Sequence, residues 1–398
     1  MSRYFLFICL PILSVFLSGC GSSPSPVLPP IKLTPIKTEM SFNEDWSGSF
    51  GEGVSDNYYF IEPVFYEDKV YSIDYRGALS AIEQKTGDVL WDVKLHQPIS
   101  AGLTRINTSL YVGTSRGEVI ALNIKDGKQL WKATVSSEIF AKPIQAGKFI
   151  IIKTVDGKIT ALEHSTGESK WVYDRPVPAL TLRGNSSPVL YEKTLIAGLD
   201  NGKLVGLSLD TGQEIWTVTI SAPRGRTEIE RMVDIDATPV INGENLYVVS
   251  YQGKIANIHI PSGKLIWTRD FSAYHGIAFN STNIFITDSE GYIWSLDQGS
   301  GATVWKQDKL LRRSLTKPSL FKDTVAVADF NGFIHFLDSK DGHMKGRIHL
   351  GGSESDKETS DDFLFDKSSN ILIAPIAIKD SLYIFDRLGY IARYTIRQ

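Results

Sequence analysis

The sequence predicts an all-β protein, an eight-bladed β-propeller of four-stranded antiparallel blades, on three observations. One spacing recurs along the chain, the unit that carries it reads as paired short strands, and the two chain ends hold complementary fragments of such a unit. The spacing is plainest in residues 117–131, GEVIALNIKDGKQLW. A glycine is followed by a branched aliphatic two residues on, an aliphatic five on, a second glycine ten on and a tryptophan four after that. Complete copies stand at Gly77-Gly87-Trp91, Gly117-Gly127-Trp131, Gly157-Gly167-Trp171, Gly202-Gly212-Trp216, Gly253-Gly263-Trp267 and Gly291-Gly301-Trp305. Gly332-Gly342 keeps both glycines but has Gly346 in the tryptophan position, and Gly389 begins a copy that stops at Gln398.

Between the two glycines, Val119 and Ala121 alternate with their neighbours, the period of two that marks a half-buried strand. The second glycine sits in a two-residue turn signal, Thr-Gly, Asp-Gly or Ser-Gly, after which the tryptophan strand begins, so these two strands form a hairpin. Two more short strands precede each first glycine, as in residues 63–77, 143–157 and 238–253. Consecutive first glycines are 40, 40, 45, 51, 38, 41 and 57 residues apart. A period near 40 with four strands per unit is that of a propeller blade.

The chain ends complete the ring. Gly389 opens a strand with no room for a tryptophan strand after it, while Trp46 lies in a tryptophan strand with no glycine strand before it. The N-terminal strand is therefore expected to join the last blade, which removes two exposed sheet edges. Residues 41–398, 358 in all, suit eight blades of about 45 and so one domain.

Ahead of the propeller lies an address. Residues 1–19 carry one basic residue, Arg3, then an apolar run interrupted by Pro11, which reads as a secretory signal peptide. Its end, Leu17-Ser18-Gly19-Cys20, has the form of a lipobox, whose cysteine is acylated and becomes the first residue of the mature chain. An ordinary signal with an incidental cysteine is the competing reading. Gly21 after the cysteine resembles lipoproteins sorted to the outer membrane. Residues 20–40, rich in Pro and Ser, read as a lipidated N-terminus and flexible tether. The only cysteines are Cys9 and Cys20, so the propeller contains no disulfide and no cysteine metal site. With 42 Lys and Arg against 45 Asp and Glu, the net charge of −3 gives no basic stripe for nucleic acid.

No catalytic, metal or cofactor constellation emerges. The seven histidines share no spacing, and neither HExxH nor GxSxG occurs. One tryptophan per blade at a fixed place reads as packing between blades, since a ligand site does not need a copy in every blade.

Departures from the repeat are more informative, because extra length must run over a surface. Residues 177–187, VPALTLRGNSS, place Leu180 and Leu182 in a connection that should be polar, with Arg183 beside them. Residues 221–238 concentrate Arg224, Arg226, Glu228, Glu230, Arg231, Asp234 and Asp236 in a long linker. These two connections belong to neighbouring blades. Residues 351–370 are acidic and read as a solvated surface insertion.

The lipobox, the tether and eight AxDxxTGxxxW-type blades together resemble the BamB lipoprotein family of the machinery that inserts β-barrel proteins into the bacterial outer membrane. The blade motif is shared with pyrroloquinoline-quinone (PQQ) dehydrogenases, the alternative reading. The more specific similarity lies in Leu180-Thr-Leu-Arg183-Gly and in residues 227–239. The resemblance implies a periplasm-facing, lipid-anchored, non-enzymatic scaffold without cofactor or metal. It implies BamA, through its POTRA domains, and the other BAM subunits as partners, with unfolded outer-membrane proteins as a further contact. It also places partner binding on Leu180, Leu182, Arg183, Asp234 and Asp236. In the competing reading the leucines tuck under the loop and Arg183 pairs within the propeller. An enzyme of the PQQ type is expected to carry adjacent cysteines, which this chain lacks.

Overall fold

The computed structural model describes residues 28–182, 186–350 and 371–397. These form eight four-stranded antiparallel sheets, the blades of a propeller. Blades 1 to 7 span residues 64–94, 99–134, 144–173, 189–219, 240–271, 277–307 and 319–349 in chain order. Blade 8 combines residues 376–396 with the N-terminal strand Phe42–Ser49, which pairs antiparallel with Tyr390–Ile396. The ring therefore closes as the two chain ends predict.

Blades need a hydrophobic seam on both faces, and the repeat supplies it. Between blades 3 and 4, for example, Phe149, Ile151, Ala161, Leu195, Val205 and Leu207 are almost fully buried against one another. Tryptophan fastens seven of the eight seams, all but the one between blades 7 and 8. Its ring lies against the next blade's hairpin glycine, where a Cβ would come within 2.5 Å of Trp171 at Gly212 and 2.6 Å of Trp305 at Gly342. Its indole N–H donates to a carbonyl beside that turn, from Trp46 to Gln84 (2.9 Å), Trp171 to Leu209 (2.9 Å) and Trp267 to Gln298 (2.9 Å).

The hairpin differs from the dipeptide expectation. Its loop holds four residues, not two: the Gly87 N–H donates to the Glu83 carbonyl (3.0 Å) and the Glu83 N–H to the Asp88 carbonyl (2.9 Å). Gly87 takes φ +80° at the last loop position, a left-handed conformation that suits glycine. A bulge follows, with Ala81 paired to Trp91 but Ile82 to Val89, which leaves Leu90 as the extra residue.

Gly346 now has a cause. Blade 7's tryptophan would need a hairpin turn in blade 8, but that blade is closed by the chain termini and has no such turn. The space is taken by Met40, whose carbonyl oxygen lies 2.6 Å from where a Gly346 Cβ would stand.

Residues 28–40 also depart from the tether expectation. They have no regular secondary structure yet lie along blade 7: Ile31 N–H donates to the Leu311 carbonyl (3.1 Å), and Glu39 and Met40 N–H donate to Lys345 (2.7 and 3.0 Å). The signal segment, Cys20, Arg183 and the acidic insertion 351–370 lie outside the described residues.

Candidate functional site

Connections from the outer strand of one blade to the inner strand of the next share one face with the turns between second and third strands. On this face the 174–188 and 220–239 connections meet. Asp234 Oδ2 accepts the Leu182 backbone N–H, Ser186 Oγ donates to the Ala237 carbonyl (3.2 Å), and the Ser187 N–H donates to Thr238 Oγ1 (3.1 Å).

Alternation inside the second connection seats it. Val233, Ile235 and Ala237 point inward at 3%, 0% and 3% exposure. Ile235 presses on Gly198 so closely that a Cβ there would lie 2.4 Å from its Cγ2. Between these apolar residues, Asp234 is fully buried and Asp236 half-buried. Further out, Glu230 Oε2 accepts the Arg226 and Thr227 N–H groups (2.7 and 3.2 Å), closing the loop tip on which Ile229 is exposed.

Beneath the leucine loop the charges of the described residues do not balance. Oδ1 of Asp200, Asp234 and Asp236 are each buried without a hydrogen-bond partner. The nearest paired cation is Lys153, 3.8 Å from Asp200 Oδ1, and its Nζ also donates to the Gly198 carbonyl (2.9 Å). Burial, reinforced by Asp200, pushes Asp234 up to about 6. Burial and then Asp234 push Asp236 up to about 7. Three carboxylates around one lysine make a cation-seeking site.

Above it Leu180 and Leu182 are 41% and 37% exposed, with Val177 beside them at 41%. Four of the five sequence-predicted partner residues, Leu180, Leu182, Asp234 and Asp236, thus gather where the two connections meet, and Arg183 lies outside the described residues. Lys153 and Asp200 were missed. A lysine ending the run Phe-Ile-Ile-Ile-Lys at 149–153 was the available signal, since a charge closing four buried aliphatics needs a partner.

A second charged group links three of the connections. Glu62, ahead of blade 1, pairs with Lys142 (3.2 Å) ahead of blade 3 and with Lys317 (3.1 Å) ahead of blade 7. Burial opposes its ionisation, but the two lysines outweigh this and hold it at about 2.

The acidic site predicts a pH dependence. Both carboxylates are raised above their unfolded values, so their stabilising contribution is complete below about pH 4 and is lost as pH rises through 6 and 7. Asp234→Asn with Asp236→Asn should therefore flatten the fall in stability between pH 5 and pH 8, by about 2 kcal/mol once the partial exposure of Asp236 is discounted. Thermal melts of both proteins across that range check this, and an unchanged slope in the double variant would contradict it.

Comparison with known proteins identifies the family. The family described as outer membrane protein assembly factor BamB matches residues 75–307. A Pseudomonas aeruginosa protein named outer membrane protein assembly factor BamB is 42% identical over 385 residues, covering 97% of both chains. A Legionella pneumophila protein of the same name is 38% identical, covering 85% of this chain and 87% of its own. Among solved structures, BamB from Moraxella catarrhalis superposes with a TM-score of 0.77 at 22% identity, over 89% of this chain and all of that one. A quinohemoprotein alcohol dehydrogenase from Comamonas testosteroni superposes at 0.69 with 13% identity, over 89% of this chain and 76% of that one, a likeness of fold alone. On the relatives that match nearly its whole length, this chain belongs to the outer membrane protein assembly factor BamB family.

Proposed function

We propose that this chain is a non-enzymatic scaffold of the outer-membrane β-barrel assembly machinery, anchored in the outer membrane through Cys20 and facing the periplasm. In this reading it docks on the POTRA domains of BamA, and through them on the other BAM subunits, by the surface where the two irregular connections meet. One observation supports the docking assignment: the exposed leucines 180 and 182 lie in a connection bonded through the Leu182 N–H to Asp234, and among the described residues Asp200, Asp234 and Asp236 have buried oxygens without a hydrogen-bond partner. Apolar anchors beside a charge that needs a partner are the composition of an interface hot spot. Arg183 adds a donor at the same loop, and Asp236, the more accessible of the pair, receives a basic group from the partner.

Two experiments test the reading. Proteins copurifying from detergent-solubilised outer membranes should include a BamA-sized barrel protein, and its absence would remove the assignment. Purified protein mixed with PQQ and calcium should neither bind the quinone nor oxidise alcohols or sugars. Stoichiometric binding at micromolar affinity would replace the scaffold with a quinoprotein.

A further inference from the structure

We infer that residues 28–40 are a built strap that fixes where the N-terminal anchor leaves the propeller, so that the face bearing the inter-blade connections is held toward the lipid surface. The inference rests on the acylated Cys20 of the proposed function.

The strap is specified along its length. At its start Arg312 Nε donates to the Pro29 carbonyl (2.7 Å) and Arg313, a buried arginine, donates to the Ile31 carbonyl (3.0 Å). Arg313 is itself held by Asp329 Oδ2 at 2.6 Å, which also meets His335 Nε2 at 3.0 Å, so the strap's first contact is tied into the interior of blade 7. In the middle Arg347 reaches the Thr34 carbonyl, while Leu33 and Ile36 pack into the seam between blades 6 and 7. At its end Glu39 meets His343 (3.2 Å), and Met40 packs into the seam between blades 7 and 8. Three arginines in succession spend donors on strap carbonyls, a pattern that random draping of a tether does not produce.

Direction gives the consequence. Arg312 lies in the connection after blade 6, and its N–H donates to the Glu290 carbonyl in a turn of the same face. His343 lies in the hairpin of the opposite face. The chain therefore enters the propeller on the face that carries Leu180, Leu182 and the acidic site. Between Cys20 and Leu28 the contour is at most about 28 Å, whereas a strap freed as far as Phe42 would allow about 75 Å. Docking shortens the leash and chooses which face it pulls.

The test uses the full lipidated chain in phosphatidylethanolamine and phosphatidylglycerol vesicles carrying a headgroup-linked acceptor dye. Because Cys20 is acylated, one introduced cysteine is the only free thiol for a donor dye. Glu290→Cys reports the connection face and Lys340→Cys the opposite one, both at exposed positions. Energy transfer should be at least twofold greater from position 290. In Gly346→Trp, which drives a ring into Met40, and in Arg312→Glu, a surface change that leaves the core alone, that ratio should fall toward one. Trypsin should also cleave at the exposed Lys32 and Lys37 at least tenfold faster in both variants. Equal transfer from both faces in the parent, or cleavage at the same rate in parent and Arg312→Glu, would overturn the inference while leaving the anchor intact. A parent chain that does not float with vesicles would overturn the anchor reading and the inference with it.

Discussion

Replacing Cys20 by alanine is expected to move the protein from the membrane fraction to the soluble fraction, or to leave it unprocessed, while the propeller melts as before. Acyl chains contribute about 0.8 kcal/mol for each buried methylene, so two or three chains hold a protein far more firmly than any surface patch of this near-neutral domain. Among the described residues no helix is long and apolar enough to cross a membrane, so retention would have to come from a partner or another surface. Fractionation with mass analysis of the mature N-terminus checks this. A parent chain that is soluble and carries no lipid would refute it.

Trp171→Ala is expected to be strongly damaging to the ring. It removes a large ring from the seam between blades 3 and 4 and leaves the Leu209 carbonyl without its indole donor. Because the ring is half-buried, the lower end of the usual range applies, about 3 kcal/mol. In a chain of this size that lowers the melting temperature by roughly 4–6 °C. Gly212→Val should cost a similar amount from the other side of the same contact, since its Cβ would meet the Trp171 ring at 2.5 Å and its φ is +71°. The double variant should then fall well short of the sum. Full additivity in thermal melts would show that the ring and the glycine do not form one unit.

The fold was legible because its determinants repeat. Gly87, Trp91 and their copies do the same local work seven times over, and Trp46 and Gly389 are the two halves of a broken copy. The loop length was not, since Thr-Gly and Asp-Gly mark the left-handed glycine but not how many residues precede it. Gly346 breaks the pattern for a reason no local spacing carries, the space that ring closure gives to Met40. Residues 28–40 read as tether because a strap held through backbone carbonyls needs no side-chain period. At the site, Leu180, Leu182, Asp234 and Asp236 stood out for breaking the blade pattern, whereas Lys153 and Asp200 keep their strand and turn positions and reveal themselves only through proximity.

Leu180, Leu182, Arg183 and Asp236 are proposed to serve a partner and not the fold. Titrating purified POTRA domains of BamA against the parent and against Leu182→Ala and Arg183→Glu, with a melting curve for each, tests this most directly. Losses of more than about 1–2 kcal/mol per hot-spot residue correspond to at least severalfold weaker binding, with melting temperatures nearly unchanged. Unchanged binding with lowered melting temperatures would assign these side chains to the propeller itself.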